Sequence, residues 1–115
     1  MAGKIGSRAN LPYNASKIAV LHIMWSMAKI LGPNGISVNA VNPGPVNTPM
    51  WSQLAHQAGS AREARAARAR QLPMQRFAEP AEVASAIRFL TNPLNRYITG
   101  VSLDVAGGAH LGIGS

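Results

Sequence analysis

Apolar residues recur at helical spacing near the start of the chain and predict a helix from about Pro12 to Leu31. Proline fits the first turn of a helix, and the run of residues 32–35 (GPNG) is a strong stop signal. Because apolar surface wraps most of this helix, we expect it to be buried on two sides, one of which covers a sheet. The apolar positions form two stripes, the first made of Ile18, Leu21 and Trp25 and the second of Val20, Met24, Met27 and Leu31.

A strand is predicted next, from Ile36 to Val41, and it leads into a turn at Pro43 and Gly44. The composition of this segment is typical of a parallel sheet. Ligands of such sheets bind beyond the carboxyl ends of the strands, so the turn is expected close to a ligand. Taken alone, Pro43 and Gly44 are more commonly a plain strand-terminating turn.

The second half of the chain predicts more helix and one more strand. Residues 50–72 are expected to be helical, and a further helix is expected from Glu79-Pro80 to about Leu90. The inward side of that further helix is expected to carry Val83, Ala86, Ile87 and Leu90. A last strand is expected from about Val101 to Val105, where Ser102 and Asp104 alternate with apolar residues. We interpret Asp104 as structural, because no partner close to it in sequence marks it as catalytic.

Composition excludes several classes of protein. The chain has 115 residues, of which 47% are hydrophobic, yet no apolar run approaches the ~20 residues of a membrane span. The absence of cysteine excludes disulfides, thiol catalysis and thiolate metal sites. His22, His56 and His110 lack the spacing of metal ligands, so we predict no metal site. No secretory signal opens the chain, and we expect a cytoplasmic protein with no membrane contact.

Positive charge is concentrated in one predicted helix. The formal net charge is +7, and Arg62, Arg65 and Arg68 repeat at helical spacing, followed by Arg70 and Arg76. A solvated helix face is the commonest explanation of such a repeat, while an anionic substrate or a nucleic acid could also exploit it. No aromatic residues interleave with the arginines, and we do not expect nucleic-acid binding.

Tyr13 and Lys17 are the residues most suggestive of catalysis. They are four residues apart and share one face of the predicted helix. A tyrosine is a poor base near neutral pH, but a neighbouring ammonium group favours its phenolate form. The pair therefore suggests an acid/base site, although by itself this spacing is more often a coincidence of the helix face.

Three further segments, taken in order with this pair, resemble the short-chain dehydrogenase/reductase family. They are residues 42–50 (NPGPVNTPM), 76–84 (RFAEPAEVA) and 98–108 (ITGVSLDVAGG). The resemblance extends from about residue 2 to residue 108. It implies an α/β fold, the C-terminal half of a Rossmann-type doubly wound parallel sheet that is incomplete in the sequence given. Residues 1–49 would supply the active-site helix, strand and Pro-Gly turn, residues 50–75 a substrate lid, and residues 76–115 the last helix and strand.

The resemblance also implies an activity. The family interconverts secondary alcohols and ketones by hydride transfer, with NAD or NADP as the cofactor. Tyr13 would be the proton donor or acceptor, and Lys17 would hold the ribose hydroxyls of the nicotinamide half and support the phenolate. The residues that decide between NAD and NADP follow a second strand that this sequence does not contain, so both cofactors stay open.

Further site residues are carried over from the same family pattern. Pro43 and Gly44 would form the turn at the cofactor. The backbone around Val46 and the hydroxyl of Thr48 would bind the nicotinamide carboxamide. Pro45 and Trp51 would contact a small alcohol or ketone substrate. In the predicted lid, Trp51, Leu54 and Met74 could line an apolar pocket, while core packing explains Trp51 equally well.

Two family features are missing from the sequence given. There is no Gly-rich phosphate turn after a first strand, and the family's carbonyl-binding serine would fall immediately before Met1. Ser7 is too close to Tyr13 to replace it, and we interpret Ser7 as structural. We therefore expect this chain to be a poor enzyme alone, and we hypothesise that Met1 is an internal methionine of a longer protein. A strand beside residues 36–41 would be missing, which favours low solubility or an obligate partner.

Other functions remain open at this point. By resemblance, the second apolar side of the first helix would pack in a bundle between subunits of a homo-oligomer, whereas from the residues alone both stripes could equally be intrachain core. A non-catalytic module that uses the same helix to bind a full-length relative is the alternative to an enzyme. A nucleic-acid-binding fragment that uses the arginine-rich helix is a weaker third hypothesis, marked by steep salt dependence.

Overall fold

The computed structural model describes residues 11–51 and 60–111. The α-helices with full bounds are α1 (Leu11–Leu31), α2 (Ala61–Arg70) and α3 (Pro80–Thr91). The strands are β1 (Ala40–Pro43) and β2 (Ser102–Val105), and short 3-10 turns occupy Gly32–Asn34, Pro93–Asn95 and Ala109–Leu111. Residues 49–51 are also helical. The order of helices and strands agrees with the α/β pattern expected from the sequence.

β1 and β2 pair in parallel and form a two-stranded sheet in the described part of the chain. The register runs from Ala40 opposite Ser102 to Pro43 opposite Val105. The backbone N–H of Gly44 continues the pairing by donating to the Val105 carbonyl at 3.0 Å. Parallel neighbours need a long crossover, and α2 and α3 lie within the connection between them.

The strand predicted from Ile36 to Val41 starts later and ends later than expected. Ahead of Ala40, side chains occupy the positions that backbone groups hold in a ladder. The Val38 N–H donates to Thr99 Oγ1 at 3.0 Å. The Asn39 side chain donates to the Ile98 carbonyl at 2.8 Å and accepts from the Val101 N–H at 3.0 Å. Regular pairing therefore begins only after this side-chain clamp, which hydropathy patterns do not reveal.

α1 matches its predicted bounds but not its predicted burial. Its buried residues are Leu21, Met24 and Ala28, which follow the line between the two predicted stripes. The outer members of both stripes and two isoleucines outside them are 40% to 65% exposed, namely Ile18, Val20, Ile23, Trp25, Met27 and Ile30. The hypothesis that both stripes are intrachain core is therefore wrong for the described residues. One turned face of α1 is buried, and the rest is open.

α3 begins and ends within one residue of its prediction because its start is strongly specified. Pro80 occupies the first turn, and the Glu82 carboxylate accepts a hydrogen bond from the Glu79 N–H at 2.8 Å. Arg76 donates both guanidinium nitrogens to Glu82 at 2.7 Å. These bonds, from Arg76 first and then from the backbone, lower the pKa of Glu82 to about 2.

The inward face of α3 is narrower than predicted. Leu90 is buried and Val83 and Ala86 are half-buried, while Ile87, expected inward, is exposed. α3 contacts both strands. The buried apolar residues of the described chain are Leu21, Met24, Ala28, Leu72, Phe77, Leu90 and Ala106. Within residues 11–51 and 60–111, no helix has the length and apolarity needed to cross a membrane.

The Asn39 clamp gives a direct test of this account. Asn39→Ala removes one donor and one acceptor that join residues 98–101 to the entry of β1, so it should destabilise the protein by about 1–2 kcal/mol. Urea unfolding followed by circular dichroism measures this loss. Asn34→Ala is the matched control, because Asn34 is exposed and its side chain makes no hydrogen bond within the described chain. Equal midpoints for the two variants would contradict the clamp.

Candidate active site

A cavity of about 520 Å³ lies where α1, the end of β1 and α2 meet. Its volume is in the range of small-molecule sites in proteins. Its lining residues are Tyr13, Lys17, Val20, Leu21, Ala40, Val41, Asn42, Pro43, Gly44, Pro45, Arg68 and Ala109. Five of the predicted site residues, Tyr13, Lys17, Pro43, Gly44 and Pro45, thus share one cavity.

Tyr13 and Lys17 lie on successive turns of α1, as their spacing predicts. The Lys17 ammonium nitrogen lies over the Tyr13 ring, 5.1 Å from its centroid, which is a cation–π arrangement. Tyr13 is half exposed, so its phenol is accessible from the cavity side. This arrangement holds a cation against the ring and keeps a proton-carrying group accessible.

The turn at Pro43 and Gly44 is required by packing as well as by its position at the cavity. A Cβ on Gly44 would lie 2.9 Å from the Cα of Ala106 and 3.1 Å from its carbonyl oxygen, closer than real Cβ contacts. Only glycine therefore allows the chain to pass Ala106 at this point. The interpretation as a strand-terminating turn and the position beside a ligand site are compatible, since the same turn lines the cavity.

Val46 and Thr48 follow the turn but do not line this cavity. Val46 forms an isolated parallel bridge with Ala78, in which Ala78 N–H donates to Pro45 and Asn47 N–H donates to Ala78. In such a bridge the middle residue directs its own N–H and C=O to the opposite side. The backbone of Val46 is therefore turned away from Ala78. Its cofactor role and that of Thr48 stay predictions.

Trp51 packs against Phe77 instead of lining the cavity. The two rings meet edge to face, with centroids 5.1 Å apart and planes at 80°. The Trp51 indole nitrogen is buried and has no hydrogen-bond partner among the described residues. The guanidinium of Arg65 covers Phe77 at 5.2 Å from the ring centroid. Core packing of Trp51 is thus observed, and its contact with substrate stays a prediction.

A second cavity of about 300 Å³ lies beyond the turn. Met74 lines it, together with Arg76, Glu82 and Asp104, so Met74 is separated from the cavity of Tyr13. Leu54, the other residue expected in the apolar pocket, lies outside the described residues. Asp104 accepts a hydrogen bond from the buried Asn42 side chain at 2.9 Å, in agreement with a structural role.

The sequence patterns missed three of the cavity residues, Asn42, Arg68 and Ala109. Asn42 carries a signal in retrospect, since a polar residue inside an apolar strand needs partners, here Ser102 and Asp104. Arg68 was recognised only as one of a repeat. The interpretation of that repeat as a solvated face is incomplete, because Arg65 covers an aromatic ring and Arg68 lines a cavity.

Residues 1–110 match a family model described as enoyl-(acyl carrier protein) reductase. The chain belongs to the short-chain dehydrogenase/reductase family. The L-fucose dehydrogenase of Oryctolagus cuniculus is 37% identical over 114 residues, which cover 99% of this chain and 40% of that enzyme. A 3-oxoacyl-[acyl-carrier-protein] reductase of Vibrio cholerae is 36% identical over 111 residues, which cover 96% of this chain and 43% of that enzyme.

A solved structure of the family confirms the fold class. The L-sorbose reductase of Gluconobacter frateurii, complexed with NADPH and L-sorbose, superposes with a TM-score of 0.85 at 27% identity. The match covers 95% of this chain and 44% of that structure. The chain therefore has part of a Rossmann-type α/β fold and spans less than half the length of these relatives. The division into three segments at residues 49 and 75 stays a prediction.

Gly44 offers a test of how tightly the turn is built. Gly44→Ala forces a methyl group onto the backbone of Ala106, and overpacking of this kind costs about 1–3 kcal/mol of stability. The measurement is the urea midpoint of unfolding. Gly32→Ala is the control, since a Cβ at Gly32 has no atom within 4 Å. A Gly44 variant as stable as the Gly32 variant would show that the turn has room to spare.

Proposed function

We propose that this chain carries the proton-transfer residues of an NAD(P)-dependent oxidoreductase that interconverts a secondary alcohol and a ketone. The proposal is carried by one observation: Tyr13 and Lys17 line a single cavity with the Pro43–Gly44 turn at the end of β1. The family relatives named L-fucose dehydrogenase and L-sorbose reductase support hydride chemistry on small alcohols and ketones. Since the chain spans 40% to 44% of those proteins, the activity belongs to the whole protein.

The residues of the cavity fit the nicotinamide end of such a cofactor. The Lys17 ammonium group has three donors, and no carboxylate of the described residues forms an ion pair with it. These donors are suited to the ribose hydroxyls. The N–H and C=O of Val46, directed away from Ala78, and the Thr48 hydroxyl are suited to the carboxamide. Both NAD and NADP are compatible with this set, and the NADPH complex of L-sorbose reductase supports a nicotinamide cofactor.

When bound, the nicotinamide supplies or accepts the hydride. Tyr13 transfers the accompanying proton: its hydroxyl gives a proton to the substrate oxygen in reduction and takes one from it in oxidation. Lys17, above the ring, stabilises the phenolate left after proton donation. Pro45, at the cavity wall, is proposed to contact the substrate carbon skeleton.

Tyr13→Phe tests the central role in the protein at the length at which its own cells make it. The variant keeps the ring and removes the transferable proton, so kcat should fall at least about 100-fold for any alcohol or ketone that the protein turns over. Cofactor oxidation followed at 340 nm measures this rate. Tyr97→Phe is the matched control, because Tyr97 is fully exposed and does not line the cavity. Unchanged turnover in Tyr13→Phe would reject the assignment.

The open face of α1 supports a second proposal, that this helix contacts another copy of the protein in a homo-oligomer. Val20, Ile23, Met27 and Ile30 lie on one side of α1 and are 40% to 65% exposed. A continuous apolar stripe of this length is unusual on a solvated helix. The same stripe would serve the alternative function, a non-catalytic module that binds a longer relative, and cofactor binding separates the two.

Ile23→Glu tests this interface, because a charge in the middle of the stripe should dissociate an assembly built on it. We expect the native mass from light scattering to fall by at least half, to that of one subunit. Leu94→Glu is the control, since Leu94 is 90% exposed and lies outside α1. Retention of the parent mass by the Ile23 variant, or equal dissociation of the Leu94 variant, would contradict the proposal.

A further inference from the structure

The charged residues that line the cavity of Tyr13 are both cations. Lys17 enters from α1 and Arg68 from α2, while the other lining residues are apolar or carry an amide or phenol. No carboxylate is among them. Two positive charges in one small concave site attract anions, because the low-polarity walls of a cavity screen charge less than water does.

The chain has no carboxylate to spare for Arg68. It contains four acidic residues, all within the described ranges: Glu63, Glu79, Glu82 and Asp104. Glu82 pairs with Arg76, Glu79 accepts from the Asn47 amide, and Asp104 accepts from Asn42. Glu63 is in the first turn of α2, five residues before Arg68, and forms no ion pair with it within the described chain. Arg68 is therefore a cation without an acidic partner.

Arg68 is also held in place at the cavity. One guanidinium nitrogen donates to the Gln71 side chain at 2.8 Å, which uses one of the five N–H donors. The remaining donors have the planar fork geometry that matches carboxylate and phosphate oxygens. Arg62 and Arg70, on the same helix, do not line the cavity. The feature is thus specific to one arginine of the repeat.

We propose that Arg68 is a specificity-determining residue that selects substrates carrying a carboxylate or phosphate group. This inference rests on the proposed function, since it gives the substrate class for the site at Tyr13. The substrate would present its carbonyl or alcohol to Tyr13 and its anionic group to Arg68 across the same cavity. A cofactor phosphate offers Arg68 the same chemistry, and the experiment must separate these two sources.

The experiment uses the protein at its native length with matched probe ketones. The probes are 4-oxopentanoate, 5-oxohexanoate and 6-oxoheptanoate, each compared with its methyl ester, which keeps the ketone and removes the charge. We expect the best acid to exceed its ester about tenfold in kcat/KM, the size of effect for a partly exposed charge-assisted hydrogen bond. Arg68→Gln should lose that preference, mainly through KM, while its ester kinetics and cofactor KM stay within twofold.

Three comparisons make the result decisive. Arg68→Lys should retain part of the preference, because it keeps the charge, and Arg62→Gln should retain all of it. A loss in Arg68→Gln that affects the cofactor KM, or acid and ester equally, would overturn the proposal in favour of a cofactor or structural role. An equal loss in Arg62→Gln would reduce the effect to net charge and also overturn it.

A binding measurement separates this proposal from the proposed function. Isothermal titration calorimetry of the same acids and esters needs no turnover. Acid binding that depends on Arg68, in a protein that reduces none of the probes, would support the anion site and leave the redox assignment to fail alone. Esters that bind as tightly as acids would overturn the anion site even if Tyr13-dependent turnover is found.

Discussion

The pairing of β1 with β2 is the constraint on which the rest of the structure depends. It joins residues 40–43 to residues 102–105, and this brings Gly44 against Ala106 and the end of β1 into the cavity wall. Two kinds of contact fix its register. The Asn39 side chain joins the strands before the ladder begins, and the close passage of Gly44 limits their approach where it ends. A slip by one residue would turn Asn42 away from Ser102 and Asp104 and leave its buried amide without partners.

Several features of this arrangement could be predicted from sequence because they depend on local patterns. The bounds of α1 follow from the stop signal after Leu31, and the start of α3 follows from Pro80 and Glu82. The spacing of Tyr13 and Lys17 placed them on one helix face, and their match to a family pattern indicated a shared site with Pro43. Local signals of this kind are independent of what lies on the other side of the fold.

The features that were missed depend on residues distant in sequence. The late start of β1 is caused by Thr99 and Ile98, some sixty positions away, which bond with Val38 and Asn39. The buried line of α1 is set by where the sheet lies, so periodicity could identify apolar positions but not the three that become covered. Likewise, helical spacing put the arginines of α2 on related faces without showing that Arg68 alone reaches the cavity.

The small number of buried apolar residues has a thermodynamic consequence. The heat-capacity change of unfolding and the denaturant dependence of stability both scale with the surface that unfolding exposes. With seven apolar side chains buried in the described chain, and much of α1 already in water, both quantities should be low for this segment by itself. Covering the open side of α1 would raise them together. The calorimetric sharpness of the melting transition thus reports how much of that helix is in contact with protein.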